Sequence, residues 1–383
     1  LTKRRGLMKV TVSQQSLAHG LSIVSRAVAP RSTLQVLSNI LVATDEGRLR
    51  LSATNLEMGI THWIGAKIEE EGSITVPART FSDLIGALPN DQVCLTLNQR
   101  TLALNVRCGG SVTDIKGIDA QEFPPLPVID DSNGIHLNVA DFKEMIQQVA
   151  FATSNDEARP VLMGVLMNLN GSEVVMAGAD GFRISERKAT LANPAPQPVS
   201  VIIPSRALSE LARIASDGDQ GISMMVPQGR AQVIFRMKDV ELVSQLVDGA
   251  YPPYQQVIPR SFKTRTVLST QAFLKACKQA EIIAREGSNV ARLSITPQGD
   301  LKPGTVEISS QSEETGSSEI VVDANVEGAP ILIAFNVTFL REVLENIKTP
   351  NVSLETGISN SPGLIRPVGD DNFLHVIMPM HLG

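Results

Sequence analysis

The nine residues Val76-Pro77-Ala78-Arg79-Thr80-Phe81-Ser82-Asp83-Leu84 return 127 positions later as Ile203-Pro204-Ser205-Arg206-Ala207-Leu208-Ser209-Glu210-Leu211. A looser third copy reads Phe335-Asn336-Val337-Thr338-Phe339-Leu340-Arg341-Glu342-Val343. Each anchor (Phe81, Leu208 or Leu340) has an apolar residue three positions on and a charged residue just before that. This spacing predicts a helix with one buried stripe. Glu122-Phe123-Pro124-Pro125 is echoed in the same way by Ala250-Tyr251-Pro252-Pro253, 128 residues later. Solenoid repeats run about 20–50 residues and need stacked neighbours to bury a core. A unit of the size seen here is as long as a domain. The chain therefore reads as one module used three times around an axis.

The length of 383 residues fits three such modules. Hydrophobic content is 43% and aromatics only 4%, so the cores are expected to be aliphatic. Charged residues make up 19%, which argues against long disordered tracts. The net charge of −6 disfavours a nucleic-acid binder if taken as a sum, but an acidic exterior can coexist with a basic inner face. Cys94, Cys108 and Cys277 are odd in number and form no CxxC pair, as expected of incidental thiols in a reduced, cytoplasmic protein. No run of 18 apolar residues is present to span a bilayer. The basic start Leu1–Leu7 lacks the apolar stretch of a signal peptide and is expected to be a tail or cloning remnant.

The 3.6-residue period places the first helix of each repeat at about Ser13–Val28, Asp141–Thr153 and Thr270–Arg285. Alternating stretches such as Arg48-Leu49-Arg50-Leu51-Ser52 and Leu102-Ala103-Leu104-Asn105-Val106 predict antiparallel strands with one buried face. Asp45-Glu46-Gly47, Asn170-Gly171 and Gln298-Gly299-Asp300 supply turns. Linkers are expected at Pro124–Asn133 and Pro259–Thr264. The fold class is thus α+β, with two helices and antiparallel sheet per repeat. The expected boundaries are 8–129, 135–259 and 265–383.

Catalytic signatures are missing. There is no phosphate-cradling GxxxxGK[ST], no GxGxxG after a strand, no HExxH and no GxSxG elbow. The five histidines are scattered, without metal-ligand spacing. A binding protein without cofactor or metal is the expectation.

Five further stretches carry a resemblance. They are Arg159-Pro160-Val161-Leu162-Met163-Gly164, Ala179-Asp180-Gly181-Phe182-Arg183-Ile184, Leu246-Val247-Asp248-Gly249-Ala250-Tyr251-Pro252, Ala334-Phe335-Asn336-Val337 and Val376-Ile377-Met378-Pro379-Met380-His381-Leu382. In this order, over a threefold repeat, residues 8–382 resemble the bacterial DNA sliding clamps, the β subunits of DNA polymerase III. The resemblance implies three clamp domains per chain and a head-to-tail homodimer. Two chains would close a six-domain ring, with sheets outside and helices lining a hole. Such a ring encircles duplex DNA without sequence specificity, slides, and tethers the polymerase, doing no chemistry itself. The implied partners are the polymerase III catalytic subunit, the clamp loader and other proteins with a clamp-binding motif. Charge agrees with this. The six expected helices carry ten basic and seven acidic residues, a positive balance in an acidic chain. A sliding ring calls for loose phosphate contacts and no base readout.

Residue by residue, the resemblance assigns a partner-peptide pocket to Leu162, Ala179, Gly181, Phe182, Arg183, Ile184, Pro252, Gln256, Val257, Val376, Ile377, Met378, Pro379 and Met380. Apolar walls with methionines suit ligands of varied shape. Phe182, Gln256 and His381 depart from the family pattern at the rim. DNA contacts are implied for Arg31, Arg79, Asn155 and Arg206, whereas Asp156 is an odd neighbour for phosphate. Ile282 and Ile283 match the family's dimer interface; adjacent helix residues point about 100° apart, so both cannot face one core. Two alternatives stand beside this reading. One is a clamp paralogue acting as a toxin- or antibiotic-binding resistance protein; the other is an enzyme with threefold internal symmetry.

Overall fold

A computed structural model describes residues 8–29, 31–127, 134–216, 218, 221–227, 229–299 and 303–381. The expected tail, residues 128–133 of the first linker, Asp300 of one turn, and Leu382 lie outside the described residues.

The three repeats run in parallel order. The first holds β1 (Lys9–Ser13), α1 (Gln14–Val24), β2 (Asn39–Asp45), β3 (Arg48–Thr54), β4 (Met58–Ile64), β5 (Lys67–Glu70), β6 (Ser73–Pro77), α2 (Ala78–Ala87), β7 (Gln92–Asn98), β8 (Ala103–Cys108) and β9 (Ser111–Lys116). The second holds β10 (Ile135–Leu137), α3 (Val139–Ala150), β11 (Gly164–Asn170), β12 (Glu173–Ala179), β13 (Arg183–Thr190), β14 (Val199–Pro204), α4 (Ser205–Ile214), β15 (Ile222–Met225), β16 (Gln232–Arg236) and β17 (Val240–Gln245). The third holds β18 (Thr264–Ser269), α5 (Thr270–Ala284), β19 (Val290–Thr296), β20 (Gly304–Ser312), β21 (Gly316–Gly328), β22 (Ile331–Asn336), α6 (Val337–Glu345), β23 (Asn351–Thr356), β24 (Gly363–Pro367) and β25 (Phe373–Ile377).

The chain turns from strand to helix without a loop. Ser13 ends β1 and its hydroxyl accepts the Ser16 N–H; Ser269 ends β18 and accepts the Ala272 N–H. Asn336 ends β22 and accepts from Thr338 and Phe339. Each of these side chains satisfies an amide that the first helical turn leaves unpaired, worth about 1 kcal/mol per cap. Pro77 and Pro204 close the strands before α2 and α4. The anchors Phe81, Leu208 and Leu340 are fully buried. The helix ends differ slightly from expectation. α1 stops at Val24 and tightens into a 3₁₀ turn at Ser25–Ala27, and α3 covers Val139–Ala150 rather than Asp141–Thr153.

The described residues form two compact units. One takes its residues from Leu1–Val139 and Arg213–Leu246, the other from Ala140–Ala212 and Val247–Gly383. The first unit contains a five-stranded sheet, β5-β1-β7-β8-β9, and an eight-stranded sheet, β10-β15-β16-β17-β4-β3-β2-β6. The second contains a twelve-stranded sheet, β14-β11-β12-β13-β25-β24-β23-β18-β21-β20-β19-β22. The middle repeat thus gives strands to both.

Two seams between repeats share one construction. In the eight-stranded sheet β4 pairs antiparallel with β17, with Met58 opposite Ser244 and Ile60 opposite Leu242. In the twelve-stranded sheet β13 pairs with β25, with Arg183 opposite Ile377 and Ser185 opposite His375. The Gln245 N–H donates to the Glu57 carbonyl at 2.8 Å, and the Met378 N–H donates to the Phe182 carbonyl at 2.8 Å. Among the described sheet edges, two fall on the third repeat's and first repeat's counterparts of the seam strands. β9 ends the five-stranded sheet. β21 pairs with β18 only from Asn325 onward, so Gly316–Ala324 has β20 on one side and no described strand on the other. Val112 on β9 and Val321 on β21 are exposed there.

Candidate functional site

The apolar patch beside the β13–β25 seam is built from alternation in strands. Ala177, Ala179, Ile184, Leu364, Leu374 and Val376 are buried together with Tyr254, and half-buried Leu162, Leu166, Tyr251, Val257 and Ile258 pack against them. Val376 faces this cluster, while its neighbour Ile377 faces the core around Phe273 and Phe335. The strand period of two separates them. Met378, Pro379 and Met380 continue past the strand half-buried. Backbone bonds Met378 N–H to Phe182 O and Met380 N–H to Ala334 O, both 2.8 Å, hold them in place.

The loop Ala179–Arg183 forms one rim. The Asp180 carboxylate accepts the N–H groups of Phe182 at 2.8 Å and Arg183 at 3.0 Å. Gly181 takes φ +95°, which an L side chain rarely adopts. The turn throws Phe182 outward, 59% exposed. Pro252 and Gln256 are exposed on the far side.

Arg183 does not face the patch. Its side chain is 7% exposed. Nε donates to Asp180 at 3.0 Å, Nη2 donates to the Phe151 carbonyl at 2.8 Å, and Nη1 pairs with Glu342. The guanidinium lies 4.1 Å from the Phe339 ring centroid and 5.4 Å from that of Phe151. Its role is to fasten the rim loop to α6.

Sequence reasoning left Tyr254, Glu186, Leu166 and Leu374 out of the pocket. Tyr254 donates its hydroxyl to the buried Glu186 carboxylate at 2.6 Å, and Tyr251 stands edge-on to it at 6.2 Å. Burial pushes both phenols up, with the Glu186 bond adding to Tyr254. The chain's only two tyrosines meet here, a signal visible in the composition. Behind the seam the Ser185 hydroxyl and His375 Nδ1 lie 2.6 Å apart, and His375 Nε2 has no hydrogen-bond partner among the described residues.

The residues assigned to DNA are all exposed. Arg31 lies on the turn after the first helix, Arg206 opens α4, and neither has a described ion pair. Arg79 opens α2 with its side chain 95% exposed, 3.8 Å from Asp83. Asn155 is exposed, whereas Asp156 is occupied. The Ala158 N–H and the Arg159 guanidinium hold its carboxyl below the usual range. Several helix cations are paired with helix acids, which leaves the net balance unchanged but draws these cations away from a ligand. Lys278 pairs with Glu345, Lys348 with Glu144, and Arg341 with Glu281, Glu342 and Glu345. Ile282 is 56% exposed on α5 while Ile283 is half-buried.

The patch offers apolar surface beside a fixed backbone, and the hydroxyl–imidazole pair behind it, Ser185 and His375, is fully buried. Such a surface can bind an extended chain and position it. Among the described residues no three His, Cys, Asp or Glu side chains cluster as metal ligands, and no helix is long and apolar enough to cross a membrane.

Comparison with known proteins points the same way. Three family models match in order: the N-terminal, central and C-terminal domains of the DNA polymerase III beta subunit, over residues 8–127, 136–253 and 255–381. The beta sliding clamp of Synechococcus elongatus is 33% identical over 381 residues, covering 98% of this chain and 100% of that protein. That of Bacillus subtilis is 32% identical over 384 residues, covering 97% and 99%. The solved structure of the Bacillus subtilis DNA polymerase sliding clamp matches with a TM-score of 0.92 at 29% identity, covering 99% of this chain and 100% of that one. The beta subunit of Thermotoga maritima matches with a TM-score of 0.89 at 28% identity, covering 98% and 100%. The chain therefore belongs to the DNA polymerase III beta-subunit family, the bacterial beta sliding clamps, and its function is that of a non-catalytic processivity factor for that polymerase.

Proposed function

We propose that two copies of this chain close head to tail into a ring that encloses duplex DNA and slides along it in the cytoplasm. The observation that carries the reading is the repeated seam. β4–β17 and β13–β25 join successive repeats by the same strand pairing, and the chain then leaves one unpaired partner of each kind, the β21 edge and β9. Pairing β21 of one copy with β9 of the next would make the same seam a third time. An interface joining unlike surfaces must either close or polymerise, and closure after two copies buries both edges. Ile282, exposed on α5, stands ready to contribute apolar contact there, with Ile283 beside it. In this reading the domains span 8–129, 135–259 and 265–383.

The patch at the β13–β25 seam is the docking groove for the polymerase III catalytic subunit, the clamp loader and other proteins carrying a short apolar motif. An apolar anchor would sit against Leu162, Val257 and Val376, with Met378 and Met380 adapting to its shape. Arg31, Arg79, Arg206 and Asn155 would contact DNA phosphates loosely, as sliding requires.

Light scattering tests the assembly. The native protein should show twice the 41.1 kDa chain mass, and Val321→Asp on the open edge should show one chain mass with unchanged circular dichroism. A native mass of one chain overturns the ring.

A further inference from the structure

The β4–β17 seam has its own cleft, and its chemistry differs from that of the groove just described. It has a volume of about 690 Å³. Strand register maps one site onto the other. Ser52, Thr61 and Glu241 lie across β3, β4 and β17 as Ala177, Glu186 and Leu374 lie across β12, β13 and β25. Phe123-Pro124-Pro125 forms the wall that Tyr251-Pro252-Pro253 forms in the other. The apolar end of the cleft is already filled from within. Leu126 Cδ2 comes within 2.7 Å of where a Cβ would stand on Gly59, the counterpart of Ile184.

What remains open is polar and carries two cations without full partners. Arg50 lines the cleft with its side chain about a third exposed and one long contact, Nη1 to Asp45 at 3.4 Å. Asp45 already accepts the Trp63 Nε1–H at 2.8 Å. Lys238 is exposed with no described ion pair. The other two cations are engaged, Arg48 with Asp239 at 3.2 Å and Arg236 with Glu241 at 2.8 Å. A carboxylate is the strongest partner for an exposed guanidinium or ammonium donor that lacks a close one.

We infer that this cleft is a second peptide groove, taking an extended acidic segment of a partner protein with its carboxylates on Arg50 and Lys238. The inference rests on the reading of the first groove as a peptide site, since the two share their strand framework. Asp45, Glu46 and Glu241 in the walls disfavour a continuous run of phosphates. Spaced carboxylates can meet the two cations and avoid these acids. Alternate residues of an extended chain face one side, so an acid at every second position places carboxylates about 7 Å apart.

Trp63, the chain's single tryptophan, lines the cleft and reports on it alone. The native protein is titrated with a blocked octapeptide of alternating serine and aspartate, following tryptophan emission. A labelled apolar clamp-motif peptide is followed in parallel by anisotropy. A saturable emission change that is weakened about tenfold in Arg50→Gln and in Lys238→Gln supports the inference. Each variant must unfold at the native denaturant midpoint, and a serine–lysine peptide should give no change. No emission change, with the apolar peptide still bound, overturns the second groove and leaves the first standing. Failure of both peptides overturns both. A response to single-stranded oligonucleotide but not to the acidic peptide overturns the assigned occupant.

Discussion

The guanidinium of Arg183 lies 4.1 Å from the centroid of the Phe339 ring and pairs with Glu342 one helical turn further along α6. Its remaining donors hold Asp180 and the Phe151 carbonyl, so one buried side chain joins the rim loop, the end of α3 and α6. Arg183→Met leaves the buried Asp180 carboxylate without its cation, and leaves Glu342 only the longer contact to Arg341 at 3.4 Å. Loss of one partner from a buried ion pair costs about 3–5 kcal/mol. Urea unfolding should show a drop of that order, with apolar-peptide affinity falling as the rim loosens. Arg183→Lys keeps the charge but loses the planar fork, and should fall between the two. An unchanged midpoint in Arg183→Met would remove the arginine from its bracing role.

Acid should weaken the fold through two histidines. Burial lowers His375 to about 3 and His62 to about 4. An unfolded imidazole takes its proton near 6.5. Between that value and the folded one the unfolded chain binds more protons, so stability falls as pH falls below about 6.5. Each histidine contributes a loss of about 1.4 kcal/mol per pH unit across its window. Denaturant midpoints from pH 7 to pH 5 should show this slope, and it should be shallower in His375→Gln. Equal slopes in the two proteins would contradict the assignment.

Phe182 separates rim from core. At 59% exposure its removal should leave stability within about 0.5 kcal/mol of native. Affinity for an apolar clamp-motif peptide should fall about tenfold, roughly 1.4 kcal/mol. Anisotropy titration of Phe182→Ala checks both the site and its rim.

Ile282→Asp places a charge on exposed apolar surface of α5. Light scattering should report one chain mass, with the fold intact by circular dichroism. Ile283→Asp burdens a half-buried position and should also lower the unfolding midpoint.

The repeat was legible in the sequence because it is written in local chemistry. Strand-end prolines, the buried Phe81, Leu208 and Leu340, and turn pairs such as Asn170-Gly171 each act within a few residues. The divided loyalty of the middle repeat was not legible, because β4–β17 and β13–β25 pair strands over a hundred residues apart. Alternation marks Val376 and Ile377 as strand but does not say which core each enters. Arg183 read as a pocket residue from its motif, yet its partner Glu342 is 159 residues away. The positive helices were counted correctly, but residue counts hide ion pairs such as Lys278–Glu345 that neutralise the charge locally.

The most direct test is topological. The protein is loaded onto closed circular DNA, washed in high salt, and the circle is then cut once. An enclosing ring stays bound through the salt wash and runs off after the cut. Charge-driven binding would be lost in salt on both forms, and that result would contradict the account.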